Sequence, residues 1–287
     1  MYNKTAIITG GTNGIGLEIS RGLLSCNYRV IIVGRNRSKF PKLLEEFPHK
    51  DLDFIQCDLS DALEISSLIK ELKKIQKIDI LVNNAGALFV NRELNAQGIE
   101  KTFALNHLAY VKLTLGLINN LKATNQSKII NVASNAHKRY LLDSNDLESS
   151  FNYNGWKAYC KSKLLNILFT YAFARRLSDS SVTCNCFHPG FINSNFGNNN
   201  KNSVLRFFLN ILKKFLAKNS KFGAKTALYL ATNDEIDHLS GNYFYNCEPI
   251  KSSEQSYDIV LQELIWKKTL VYLKNFLDEN QSLNIKL

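Results

Sequence analysis

The chain of 287 residues carries 36 Lys and Arg against 25 Asp and Glu, a formal charge of +11, and 45% of its residues are apolar. That length fits one large α/β domain, and six cysteines without Cys/His metal spacing exclude a disulfide framework and give no metal site. The positive surplus suits nucleic acid, an anionic membrane or a phosphorylated ligand, but no nucleic-acid motif or basic-aromatic stripe accompanies it.

Short apolar runs alternate with longer amphipathic ones. Strands are predicted at 5–9, 29–33, 53–57, 78–82, 128–133 and 182–187, and helices at 15–26, 62–75, 99–121 and 156–177. Such alternation predicts a Rossmann-like doubly wound parallel sheet with helices on both faces, in a single domain. The opening Met1-Tyr2-Asn3-Lys4 leads straight into a strand, with no room for a signal peptide, and no run of about 18 uninterrupted apolar residues predicts a membrane span. A cytoplasmic location is expected. The Asn-rich stretch 193–202 reads as a mobile loop, and 203–218 as a basic amphipathic helix, so that 193–220 forms a loop and lid within the domain. That helix is read as a cap over an apolar pocket, with peripheral membrane contact and plain core packing as alternatives.

The first strand runs into Thr9-Gly10-Gly11-Thr12-Asn13-Gly14-Ile15-Gly16, which opens the first helix. Glycines there allow a tight turn and let main-chain N–H groups approach a pyrophosphate, and the strand-turn-helix context makes this a dinucleotide site. At the end of the second strand an acid would accept hydrogen bonds from the adenosine ribose 2′-hydroxyl and repel a 2′-phosphate. Here Gly34-Arg35-Asn36-Arg37-Ser38-Lys39 carries no acid. Arg35, with Arg37 or Lys39 as helpers, predicts NADP(H) over NAD(H). Asp58 ends the third strand, where it can meet the adenine ring, and Asn83-Asn84-Ala85-Gly86 ends the fourth. Strand C-termini are where open α/β sheets bind ligands.

Tyr159 and Lys163, four apart on a predicted helix, share one face. A neighbouring ammonium would lower the phenol pKa from its usual value of about 10 and make it a usable acid/base. Ser134, ending the fifth strand, is placed to polarise a substrate carbonyl.

With Thr9-Gly10-x-x-x-Gly14-x-Gly16, Asn83-Asn84-Ala85-Gly86, Ser134, Tyr159-x-x-x-Lys163 and Pro189-Gly190 in order, nearly the whole chain resembles the short-chain dehydrogenase/reductase superfamily. Val33-Gly34-Arg35-Asn36, Phe103-Ala104-Leu105-Asn106-His107-Leu108, Asn131-Val132-Ala133-Ser134-Asn135-Ala136-His137, His188-Pro189-Gly190 and Leu239-Ser240-Gly241-Asn242-Tyr243-Phe244 are similar to its retinol dehydrogenase-like branch. The long interval between Ser134 and Tyr159 accords with that branch, whose members act on apolar aldehydes, ketones and alcohols, often with NADP(H). The resemblance implies Tyr159 as general acid/base, Lys163 on the nicotinamide ribose, Ser134 on the carbonyl and Asn106 anchoring a relay water. It implies cofactor contacts from Gly10, Thr12, Asn13, Gly14, Ile15, Gly16, Arg35, Asp58, Leu59, Asn84, Ala85, Gly86, Tyr159, Lys163, Pro189, Gly190 and Ile192. Pairing into a homodimer would run through the helices at 99–121 and 156–177.

His107 and His137 read as packing or surface histidines, and Trp156 as a helix-entry packing residue. The expected function is NADP(H)-dependent hydride transfer to or from an apolar carbonyl/alcohol pair. The alternatives are a catalytically silent NADP(H)-sensing module and a protochlorophyllide reductase-like enzyme.

Overall fold

Thr5-Ala6-Ile7-Ile8-Thr9 is buried along its whole length, as a strand covered on both faces must be. This is β1 (Thr5–Thr9), followed in chain order by β2 (Arg29–Gly34), β3 (Leu52–Gln56), β4 (Ile80–Asn83), β5 (Ser127–Val132), β6 (Val182–Phe187), β7 (Tyr243–Tyr245) and β8 (Glu248–Pro249). They form one sheet in the order β3-β2-β1-β4-β5-β6-β7-β8. Every neighbouring pair is parallel except β7 with β8. The structure is a computed structural model that describes residues 4–190 and 220–276. The loop and lid expected at 193–220 lie, except for Ser220, outside the described residues, as does Ile192.

The helices are α1 (Gly14–Ser25), α2 (Phe40–Glu46), α3 (Ala62–Leu72), α4 (Lys101–Phe103), α5 (Ala109–Lys122), α6 (Gly155–Arg176), α7 (Ser220–Thr232) and α8 (Ile259–Leu273). A π-helical segment, Ala104–Leu108, joins α4 to α5. Alternate residues of each strand feed opposite faces of the sheet. Ile7, Ile31, Leu81 and Ile129 pack with α3, α5, α6 and α8, whereas Ile8, Ile32 and Val82 pack with α1, α2 and α7. Because the chain leaves β3 at one edge and returns beside β1 as β4, the strand order reverses between β1 and β4, and a crevice opens at their C-terminal ends.

The strands expected at 5–9 and 182–187 coincide with β1 and β6, and the others differ by at most two residues at an end. The helix expected at 99–121 begins at Lys101 and contains the π segment. The helices on which the resemblance places pairing with a second copy are crossed by α8. Trp266 lies parallel to Phe169 and Phe173, with ring centroids 6.0 and 5.8 Å apart, and Tyr272 meets the ring of Phe103 edge-on at 5.0 Å. Among the described residues no helix is long and apolar enough to cross a membrane.

A buried polar chain crosses the middle of the sheet. Asn83 Nδ2 donates to Thr114 Oγ1 at 3.0 Å and to Asn131 Oδ1 at 2.9 Å; Asn131 Nδ2 donates to Thr170 Oγ1 at 3.0 Å, and that hydroxyl donates to the Asn166 carbonyl at 2.7 Å. β4, β5, α5 and α6 are thereby held in one register. Truncation leaves buried partners unpaired, so Asn131→Ala is expected to lower the free energy of unfolding by about 2–4 kcal/mol in urea titration.

Candidate active site

A cleft of about 800 Å³ runs along the C-terminal ends of β1, β2, β4 and β5. At one end the Gly-rich turn enters α1. Gly14 has φ +53°, a left-handed conformation that side chains rarely adopt, and a Cβ on Gly16 would lie 2.4 Å from the Gly10 carbonyl oxygen. Asn13 precedes α1 without capping it through its side chain. Instead Asn13 Oδ1 accepts from Lys39 Nζ at 2.9 Å. The first N–H groups of α1 therefore have no side-chain acceptor, which is the arrangement that receives a phosphate.

Gly10, Thr12, Asn13, Gly14, Ile15, Gly16, Arg35, Leu59, Asn84, Ala85, Gly86, Ser134, Tyr159, Lys163, Pro189 and Gly190 all line this cleft. Asn84 is fixed by donating to the Thr9 carbonyl at 2.8 Å, and Thr9 Oγ1 in turn accepts the Asn84 and Ala85 N–H groups. Arg35 is exposed at the rim. Asp58 does not line the cleft. Its Oδ1 accepts from Ser60 N and Oγ, and its Oδ2 stands 4.0 Å from Arg35 Nη1. Arg37 is turned away over the rings of Phe40 and Phe54, 5.4 and 6.0 Å from their centroids. Lys39, by contrast, lines the cleft.

At the other end four side chains converge from three elements. Lys163 is 3% exposed and donates to the Val132 carbonyl at 3.0 Å. Its Nζ lies 5.6 Å from the Tyr159 ring centroid and 5.7 Å from that of Tyr110. Ser134 lines the cleft with Tyr159, and its hydroxyl acts to lower the phenol pKa. Asn106, in the π segment, donates to the Ala87 carbonyl at 2.9 Å and to Ser162 Oγ at 3.0 Å, and accepts from Ala87 N at 2.9 Å. A point one bond above Gly86 lies 3.2 Å from Asn106 Oδ1 and 3.4 Å from Lys163 Nζ.

Electrostatics differ from what the i, i+4 spacing suggests. Burial pushes the Tyr159 phenol up to about 12, only partly offset by the Ser134 hydroxyl, and desolvation pushes the Lys163 ammonium down to about 7. No carboxylate contributes to the Lys163 shift.

Trp156 differs from its expected packing role. It lines the cleft and stacks on Tyr159 with centroids 5.8 Å apart. Leu88, Ser220 and Gly223 also line it with no sequence signal to mark them, as does Leu105 beside Asn106. His107 is a packing residue, buried between Asn166 and Thr269, its pKa lowered to about 4 by burial.

Among the described residues no group of three metal-binding side chains exists. A turn with open helix N–H groups, a cleft along a strand-order reversal and a Tyr/Lys/Ser/Asn cluster at its far end define a nicotinamide-dependent oxidoreductase. Residues 4–204 match the family described as short chain dehydrogenase, and the chain belongs to that family. It is 33% identical over 278 residues to the human polyprenol dehydrogenase, covering 93% of this chain and 84% of that protein. Identity to retinol dehydrogenase 14 of Mus musculus is 30% over 282 residues, covering 93% and 84%. These relatives place it in the retinol dehydrogenase-like branch. Among solved structures, an uncharacterized protein from Mycobacterium paratuberculosis superposes with a TM-score of 0.77 at 26% identity, over 94% of this chain and 93% of that one. A Beutenbergia cavernae protein, assigned as an NAD(P)-dependent gluconate 5-dehydrogenase and carrying NADP at low occupancy, shares the fold at TM-score 0.63 and 20% identity, over 86% and 96%.

Lys163 yields a thermodynamic prediction. Its folded pKa lies below its unfolded value of 10.5, so the charge costs stability fully below about pH 7, and the cost fades as pH rises from there towards 10.5. Lys163→Met is expected to be more stable than the wild-type chain at pH 7 and to lose part of that advantage at pH 9, as read by denaturant unfolding at both values.

Proposed function

We propose that the chain is an NADP(H)-dependent oxidoreductase that interconverts apolar aldehydes or ketones and their alcohols. The observation that carries this reading is the convergence of Tyr159, Lys163 and Ser134 in the same cleft as the Gly-rich turn, with Asn106 buried behind Gly86. The bound nicotinamide supplies or accepts the hydride.

The chain's own groups manage the oxygen and its proton. A substrate carbonyl oxygen is received between the hydroxyls of Ser134 and Tyr159, both of which line the cleft. With its pKa near 12, the Tyr159 phenol rests protonated, the form that gives a proton to a carbonyl as it is reduced. Ser134 donates to the same oxygen as negative charge develops. Lys163 keeps a positive end near the phenol. Both amide hydrogens of Asn106 are committed to Ala87 and Ser162, so its side chain braces the π segment. Its Oδ1 keeps one lone pair for a relay water above Gly86, within reach of Lys163 Nζ.

Preference for NADP(H) is supported by Gly34 standing in the acid's place and by Arg35 and Lys39 both lining the cleft. The Arg35–Asp58 contact is long and exposed, and such a pair holds the guanidinium weakly, leaving it to meet a 2′-phosphate. Apolar substrates are supported by Leu88, Leu105 and Trp156 around the Tyr159 end.

NADPH and NADH oxidation against aldehydes and ketones running from short aliphatics to retinal tests this reading. Turnover is expected to prefer NADPH and long apolar carbonyls, to fall at least about 1,000-fold in Tyr159→Phe, and to lose about tenfold of its NADPH preference in Arg35→Ala. Tight NADPH binding without turnover on any carbonyl would overturn it.

A further inference from the structure

Of the groups that this chemistry leaves unused, His137 is the most tightly constrained. It lies in a 3₁₀ turn, Asn135–Arg139, directly after Ser134, and is 0% exposed. Its Nδ1 stands 2.6 Å from the main-chain oxygen of Ser134, and its Nε2 accepts the Ser253 N–H at 3.0 Å. These partners decide the tautomer. A carbonyl only accepts and an amide N–H only donates, so Nδ1 carries the hydrogen and Nε2 the lone pair. Burial pushes the imidazole pKa down to about 4, which keeps it neutral.

Three segments meet at this ring. Ser134 lies two residues past the end of β5 and caps the 3₁₀ turn. Tyr243 of β7 meets the imidazole edge-on, with centroids 5.1 Å apart. Ser253 belongs to a loop that is itself anchored: Ser252 Oγ is 2.8 Å from Tyr171 Oη on α6, Ser252 N donates to Tyr257 Oη at 3.0 Å, and Gln262 Nε2 of α8 donates to the Ser256 carbonyl at 2.6 Å. The Ser134 hydroxyl, for its part, accepts from Ala136 N at 3.2 Å within the turn that His137 ties down.

We propose that His137 is a positioning residue for Ser134: its neutral ring clamps the Ser134 carbonyl to the Ser253 loop and so aims the Ser134 hydroxyl at Tyr159. The part played by Ser134 in turnover rests on the oxidoreductase reading above, whereas the clamp does not.

Two isosteric replacements separate its halves. His137→Asn places an amide donor where Nδ1–H was and removes the acceptor. His137→Gln places a carbonyl near the Nε2 position and removes the donor. NADPH-dependent carbonyl reduction is expected to lose about tenfold in kcat in both variants, because releasing either end breaks the bridge, with KM for NADPH unchanged in both. Imidazole 15N shifts of the wild-type chain are expected to assign Nδ1–H at neutral pH, and the Ser253 amide to exchange faster in His137→Asn. An Nε2–H tautomer, or a wild-type kcat in either variant, would overturn the clamp. A wild-type chain that reduces no carbonyl would sink the catalytic reading alone, because the 15N and exchange measurements need no turnover and still decide the clamp.

Discussion

Lys163 is a buried cation that no carboxylate among the described residues answers, and the surroundings of the site follow from that. A lone ammonium taken out of water is costly. Here it retains one carbonyl, that of Val132, and the faces of two aromatic rings, Tyr159 and Tyr110. Cation–π contacts of this length return a fraction of the lost hydration, and the remainder appears as an ammonium ready to lose its proton near neutrality. A carboxylate beside it would restore the charge but would also repel electron density from any substrate oxygen arriving at Tyr159. The site thus carries a stability deficit that the rest of the fold must offset.

The register of the site is held from beneath it. The amide and hydroxyl chain from Thr114 through Asn83 and Asn131 to Thr170 joins two strands and two helices in a region without solvent. Polar groups at such depth contribute little net energy, but they penalise every alternative register severely. β4 and β5 therefore deliver Gly86 and Ser134 at fixed heights, and α6 delivers Tyr159 and Lys163 opposite them. The π segment serves the same end, since one wide turn brings Asn106 against Ala87 without breaking the helix.

Much of this was legible in the order of residues. The strands with continuous Ile and Val runs were readable because burial on both faces imposes such runs, and Tyr159 and Lys163 share a face because the helical period requires it. The shortest and least regular elements were not. β7 has three residues, and α8 buries Gln262 and Thr269 while exposing Val260 and Val271, so neither follows a simple pattern. The phenol's upward shift escaped because spacing reports a neighbour's charge but not depth of burial. His137 escaped for a different reason: its partner Ser253 is 116 positions away, and no local pattern encodes such a meeting. Asp58 sits at the right strand end, yet its carboxylate is absorbed by the turn at Ser60.

The far margin of the sheet has its own consequence. β8 is two residues long, antiparallel to β7, and ends in Pro249. A proline offers no N–H, and so short a ladder presents little for another chain to pair with. Intermolecular strand addition, the usual route from an open sheet to aggregates, is disfavoured at this border by the strand's own brevity and its proline.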